Sequence, residues 1–194
     1  TWNVAKVTTL AHTFGAASKF AGTGLNAWDT TSVTTLQGTF ASAGEMNSDL
    51  SKWSVGKVRS LHDTFYGATR FTGTGLAQWN TASVTTMTRT FRLASKMNAD
   101  LSTWNTAKVK TLGATFYGAT KFAGTGIGMW ITASVTSLYQ TFQSAGEMNA
   151  DLSGRKMSKV NTLFGTFNGA AKFVGAGLSG WDTSKVRKRM RTDQ

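Results

Sequence analysis

The chain of 194 residues contains no cysteine, which excludes a disulfide framework and thiolate metal ligation. It contains no proline either, although an average usage of about 5% would place some ten in a chain of this size. A backbone in which nearly every N–H is needed as a donor accounts for that gap, because proline has none to give. Carboxylates are scarce as well. Nine Asp and Glu stand against 21 Lys and Arg, a formal charge of +12, and such an excess concerns partners rather than fold. Histidine occurs only at His12 and His62, and neither has a recurring acidic neighbour beyond Asp63. General acid–base catalysis therefore has little to draw on, and the sequence reads as a non-enzyme without a cofactor. No apolar run approaches the roughly 20 residues that span a bilayer, so this segment is not expected to be transmembrane. No signal-peptide pattern opens the chain. It begins at Thr1 and Trp2 already inside its repeat, as a fragment of a longer protein would.

What the sequence has in abundance is repetition. Trp recurs at 2, 28, 53, 79, 104, 130 and 181, with Arg155 in the one missing place, and the spacing alternates between 26 and 25 residues. Counting that Trp as position 1, position 6 is always Val, position 9 Leu or Met, position 12 Thr, position 13 Phe and position 16 Ala. Offsets of 6, 9, 13 and 16 fit one face of a helix of about three turns. The remainder of each repeat predicts a short, bent strand. It runs as KFAGTGL-like segments in odd repeats and EMNSDL-like segments in even ones, so the extra residue of the 26-residue repeats falls in the Gly-x-Gly stretch. Two glycines supply the positive φ that an insertion requires.

One repeat cannot bury its apolar face alone, whereas stacked neighbours share a continuous core. The expected fold is an α/β repeat solenoid, leucine-rich-repeat-like, with seven full coils and a partial eighth, each a short strand and a short helix. Residues 1–180 form the seven repeats, and 181–194 the partial eighth with a basic C-terminal cap or tail.

The residues in hand, W-[ND]-T-x-x-V-T-x-L-x-x-T-F-x-x-A-x-x-[FM]-N-x-x-L-S-x-W, are cleanest between Trp79 and Trp104. This pattern resembles the BspA-like leucine-rich-repeat surface proteins, including the repeats of mycoplasma surface lipoproteins. The resemblance implies an extracellular or cell-surface protein without enzymatic activity, built for adhesion, protein binding, display or structural assembly. It carries over no functional residue, since the family's shared residues are those of its scaffold. This chain departs from it in placing Thr before the Phe.

Candidate binding residues lie at outward positions. Lys6, Lys57, Lys108 and Lys159 occupy position 5 of the odd repeats, and Lys19, Arg70, Lys121 and Lys172 occupy position 18. Like charges in alternate coils would sit about 10 Å apart, near the Debye length, and repel little. Two such rows suit an anionic polymer, whether acidic polysaccharide, membrane surface or nucleic acid, and the expected partner is a protein or an acidic glycan on a surface. Nucleic acid is disfavoured, because the aromatic residues are assigned to the core and leave no base-stacking platform. Self-assembly into a filament or sheath, or a place in a larger complex, is the alternative structural role. The Ser or Thr at position 8 of every full repeat raises an ice-binding array, interrupted in the neighbouring column by Arg59, Lys110 and Asn161. Asn47 and Asp49, with their counterparts Asn98, Asp100, Asn149 and Asp151, present oxygens that could ligate calcium weakly or satisfy backbone groups at a turn. The position 12 Thr is expected to bond a carbonyl four residues earlier, and Arg155 to cover the Trp site with its stem while its guanidinium reaches solvent.

Overall fold

The structure is a computed structural model that describes residues 2–187. Each repeat is one coil, and successive coils lie in register along the whole described chain. Among the described residues there is no α-helix and no named strand. Four three-residue 3-10 helices, Leu25–Ala27, Leu76–Gln78, Ile127–Met129 and Leu178–Gly180, are the regular elements. The expected α/β solenoid with a strand and a helix in every coil is therefore overturned. Strand pairing is reduced to one parallel bridge per coil at position 8, running Thr9, Thr35, Ser60, Thr86, Thr111, Ser137 and Thr162.

The backbone explains why the helical spacing misleads. In the third coil Thr64, Tyr66 and Ala68 donate within the coil to the carbonyls of Leu61, Asp63 and Phe65, at 3.1–3.2 Å. The intervening Leu61, Asp63, Phe65 and Gly67 donate across to the carbonyls of Thr86, Thr88, Thr90 and Arg92 in the fourth coil, at 2.7–3.1 Å. A helix would use all of these N–H groups within the coil and a strand none of them. The alternation gives a run of overlapping four-residue turns that also points Val58, Leu61, Phe65 and Ala68 inward, all fully buried. Positions 11 and 15 take positive φ to make this path, as in Asp63 at 55° and Gly67 at 64°. A left-handed residue every fourth position is incompatible with an α-helix.

His62 N–H completes the set by donating to Ser60 Oγ, so every N–H from Leu61 to Ala68 is placed. Proline at any of these positions would remove a donor that the stack uses.

The odd coils absorb their extra residue through Gly-x-Gly, although not as a strand bulge. In the fifth coil Gly124 and Gly126 have φ of 94° and 84°, and Gly126 leads directly into Ile127–Met129. A Cβ on Gly126 would stand 2.1 Å from the backbone nitrogen of Ser102, so this corner admits no side chain.

Inside, the rings form columns. Phe14, Phe40, Phe65, Phe91, Phe116, Phe142 and Phe167 stack in unbroken succession at 5.5–5.7 Å between centroids. In odd coils a second Phe lies flat against this column, as Phe71 does on Phe65 at 4.1 Å. The tryptophans make a parallel column, with Trp79 and Trp104 at 6.1 Å and Trp104 and Trp130 at 6.3 Å. Each indole N–H of Trp53, Trp79, Trp104, Trp130 and Trp181 donates to the carbonyl three residues before position 1 of the preceding coil. Such columns join burial to geometry-specific attraction between rings.

Arg155 corrects a second expectation. Its side chain is buried, with 8% of the residue exposed, and donates to the Trp130 carbonyl, while Nη2 is buried without a partner among the described residues. The basic cap or tail expected at the end of 181–194 lies, from residue 188 on, outside the described residues. No helix among the described residues is long and apolar enough to cross a membrane.

Candidate functional site

The invariant polar residues serve the backbone. Thr39, fully buried, reaches two carbonyls with one hydroxyl, Leu36 three residues earlier at 2.8 Å and Leu10 of the preceding coil at 3.0 Å. Thr90 and Thr115 repeat the arrangement. The partner is thus three residues back rather than four, and the same hydroxyl ties neighbouring coils. Thr64 bonds the Leu36 carbonyl at 3.0 Å. Thr64→Val, which keeps the shape and deletes the donor, is expected to cost about 1 kcal/mol, measurable by chemical denaturation. A loss no larger than that of an exposed Thr120→Val control would show the hydroxyl to be dispensable.

The position 8 hydroxyls have an equally local use. Each accepts from the N–H two residues on, from Thr9 with Ala11 to Thr162 with Phe164, at 3.2–3.4 Å. Asp49, Asp100 and Asp151 accept the N–H of Ser51, Ser102 and Ser153 at 2.8–2.9 Å, the turn role that short acidic side chains commonly take. Asn47, Asn98 and Asn149 accept the N–H of Thr72, Ala123 and Val174 in the following coil. A parallel set at position 2 went unread in the sequence, although the W-[ND]-T motif signals it. Asp29 accepts from the Thr31 hydroxyl at 2.7 Å and from its N–H, which holds the Asp29 carboxyl below its ordinary value.

The basic rows are placed as read, on the surface. Lys6, Lys57, Lys108 and Lys159 are exposed in one column and make no ion pair among the described residues. The second row, Lys19, Arg70, Lys121 and Lys172, is also exposed, but the even coils insert Glu45, Lys96 and Glu147 between its members. Arg70 Nε lies 3.1 Å from Glu45, and Lys172 pairs with Glu147. The hydrogen bond from Lys172 lowers the Glu147 carboxyl pKa, and the charges of Lys172 and Lys121 on either side add to it. This row is thus partly neutralised, and the position 5 row carries the freer charge.

A cluster absent from the sequence reading occupies the outer turns of the third to sixth coils. Arg89 Nη2 lies 2.7 Å from Asp63 Oδ2 and 3.2 Å from His62 Nε2, whose ring is 3.4 Å from the same carboxylate. At position 14 the guanidinium carbon of Arg92 sits 4.6 Å from the centre of the Tyr117 ring and 5.8 Å from that of Tyr66. Its flanking coils thus supply a cation–π contact on each side. Farther along, Tyr139 and Phe164 stack at 5.5 Å, each close to half exposed. The available signal was the column itself, since position 14 reads Gly15, Ala41, Tyr66, Arg92, Tyr117, Gln143 and Asn168.

Two stretches of the chain, residues 1–102 and 87–192, match the family model described as Mycoplasma protein of unknown function, DUF285. Among curated proteins none matches the chain.

Proposed function

We propose, from the premise that this repeat protein belongs to the mycoplasma family DUF285, that it is a non-enzymatic cell-surface or extracellular module, a rigid stack that presents a long face for binding. The observation that carries the reading is the division of labour within the repeat. The recurring Trp and the invariant Val, Phe, Ala and Thr are spent on the core and on bonds between coils, while residue identity varies at outward positions such as 7, 10 and 14. A scaffold that holds its shape and varies its surface suits recognition better than catalysis.

The surface is basic, with the position 5 lysines recurring every second coil, at about 10 Å if coils keep strand-like spacing. That favours an anionic polymer, an acidic glycan above all, over a neutral partner. Filament formation and the adhesion of resembling proteins are compatible with the same scaffold. A membrane-impermeant amine-reactive reagent, applied to intact cells that express the chain, is expected to label it through these lysines. Labelling confined to lysed cells would overturn the surface assignment.

A further inference from the structure

Five buried side-chain polar atoms lack a hydrogen-bond partner among the described residues: Asp63 Oδ1, Arg89 Nε, Arg92 Nε, Gln143 Oε1 and Arg155 Nη2. The first four belong to the outer turns of the third to sixth coils. The recurring Thr, Asp and Asn columns of the stack, by contrast, are satisfied by backbone. Leaving buried polar groups unpaired is destabilising, so this face is not tuned for stability, and such departures concentrate where a surface has another task.

Arg92 is its centre. The guanidinium is half-buried, held between Tyr66 and Tyr117, and makes no ion pair or hydrogen bond among the described residues. Neighbouring Arg89 already has its carboxylate in Asp63. Stacking fixes the plane of the Arg92 fork in advance, which reduces the ordering lost when a carboxylate docks on it. To one side lie Arg59 and Lys110, exposed at position 7. Down the same face the stacked Tyr139 and Phe164 rings are partly exposed, a surface for the C–H face of a sugar ring.

We infer that the outer face of the third to seventh coils is a carbohydrate-binding site, taking a polysaccharide of acidic sugars with Arg92 as its carboxylate anchor. The inference deepens the anionic-polymer reading and rests on it. A polysaccharide with one carboxylate per disaccharide spaces its charges comparably to basic residues in alternate coils, whereas an acidic protein segment has no fixed interval.

The test is binding of the full chain to hyaluronan oligosaccharides, with poly-glutamate of matched charge as the competing arm. Wild type is expected to bind hyaluronan in a salt-sensitive manner and poly-glutamate at least tenfold more weakly. Arg92→Gln is expected to lose tenfold or more at an unchanged melting temperature. Tyr66→Leu/Tyr117→Leu, which keeps the charge and frees the fork, is expected to lose at least threefold. Lys52→Gln should leave binding within twofold, since Lys52 is exposed outside both basic rows and is not at the anchor. Arg92→Gln binding within twofold of wild type would overturn this site while leaving the acidic-polymer reading standing. Poly-glutamate bound as tightly as hyaluronan would overturn the saccharide assignment. Wild type that binds neither probe at low salt would overturn both the site and the reading beneath it.

Discussion

Arg155→Trp is expected to stabilise the protein by about 3 kcal/mol, raising the melting temperature by roughly 6–12 °C for a chain of this size. In the wild type the guanidinium replaces an indole in the tryptophan column. Burial lowers its pKa to about 10, with Asp151 opposing only in part. The fall from the ordinary guanidinium range corresponds to roughly 3 kcal/mol of disfavoured charge at neutral pH, and solvent screening of the wetter part of the side chain reduces this to about 2. Nη2 has no partner among the described residues, and a cavity of about 20 Å³ remains between Arg155, Trp130, Leu138, Met157 and Trp181. An indole would fill that space, stack between Trp130 and Trp181, and bring its N–H toward the Ile127 carbonyl as Trp104 does toward Leu76, worth about another 1 kcal/mol. The bond from Arg155 to the Trp130 carbonyl offsets part of this.

The sign with pH follows from the direction of the shift. From about 10 up to the ordinary guanidinium range the folded chain releases a proton that the unfolded chain retains, so wild-type stability rises relative to Arg155→Trp across that window. The advantage of the variant is therefore full at neutral pH and narrows above pH 10, measurable by denaturant titration of both proteins. An Arg155→Trp protein that melts at or below wild type would give the arginine a role of its own.

Phe65→Ala is expected to cost about 4 kcal/mol, lowering the melting temperature by roughly 8–16 °C. Phe65 is fully buried and touches rings on every side, Phe40 and Phe91 at 5.6 Å, Phe71 at 4.1 Å and Trp79 at 6.0 Å. Its loss would cut the Phe column in mid-stack and leave Phe71 without its flat neighbour. Phe14→Ala, at the half-buried first coil, should cost about half as much, because that ring has a column neighbour on one side only. If stability is a sum over adjacent coils, the central variant is the worse of the two. Equal losses would mean that the columns do not carry the stack.

The repeat was legible because every column of the stack is also a column of the sequence. Trp, Val, Phe and Ala recur at fixed intervals; most of their copies are buried in one core, and the Phe rings stack on their own copies one coil away. The division into helix and strand was not legible from that spacing, since inward positions every three or four residues fit a helix and a chain of turns equally well. The discriminating evidence lay at positions 11 and 15. They hold Gly38, Gly67, Gly118, Gly165 and Gly169 among residues such as Asp63, Ser42 and Gln140, and never a β-branched residue, as left-handed backbone demands. The lysine rows of the sequence are exposed columns of the structure, and Glu45 and Glu147 belong to the same column as Arg70 and Lys172, where only register turned them into pairs.

By itself the sequence determined the period, the stacked columns and the absence of proline, because a repeated one-dimensional pattern must bury the same residues in every coil. The tertiary structure alone decided the path of the backbone, which shares its N–H groups alternately within and between coils. It also decided the fate of two arginines with no common motif. Arg155 was read as a surface-reaching substitute for Trp and is buried in the core. Arg92 was not read at all and lies clamped between two tyrosines 26 and 25 residues away, a contact that exists only once neighbouring coils are brought side by side.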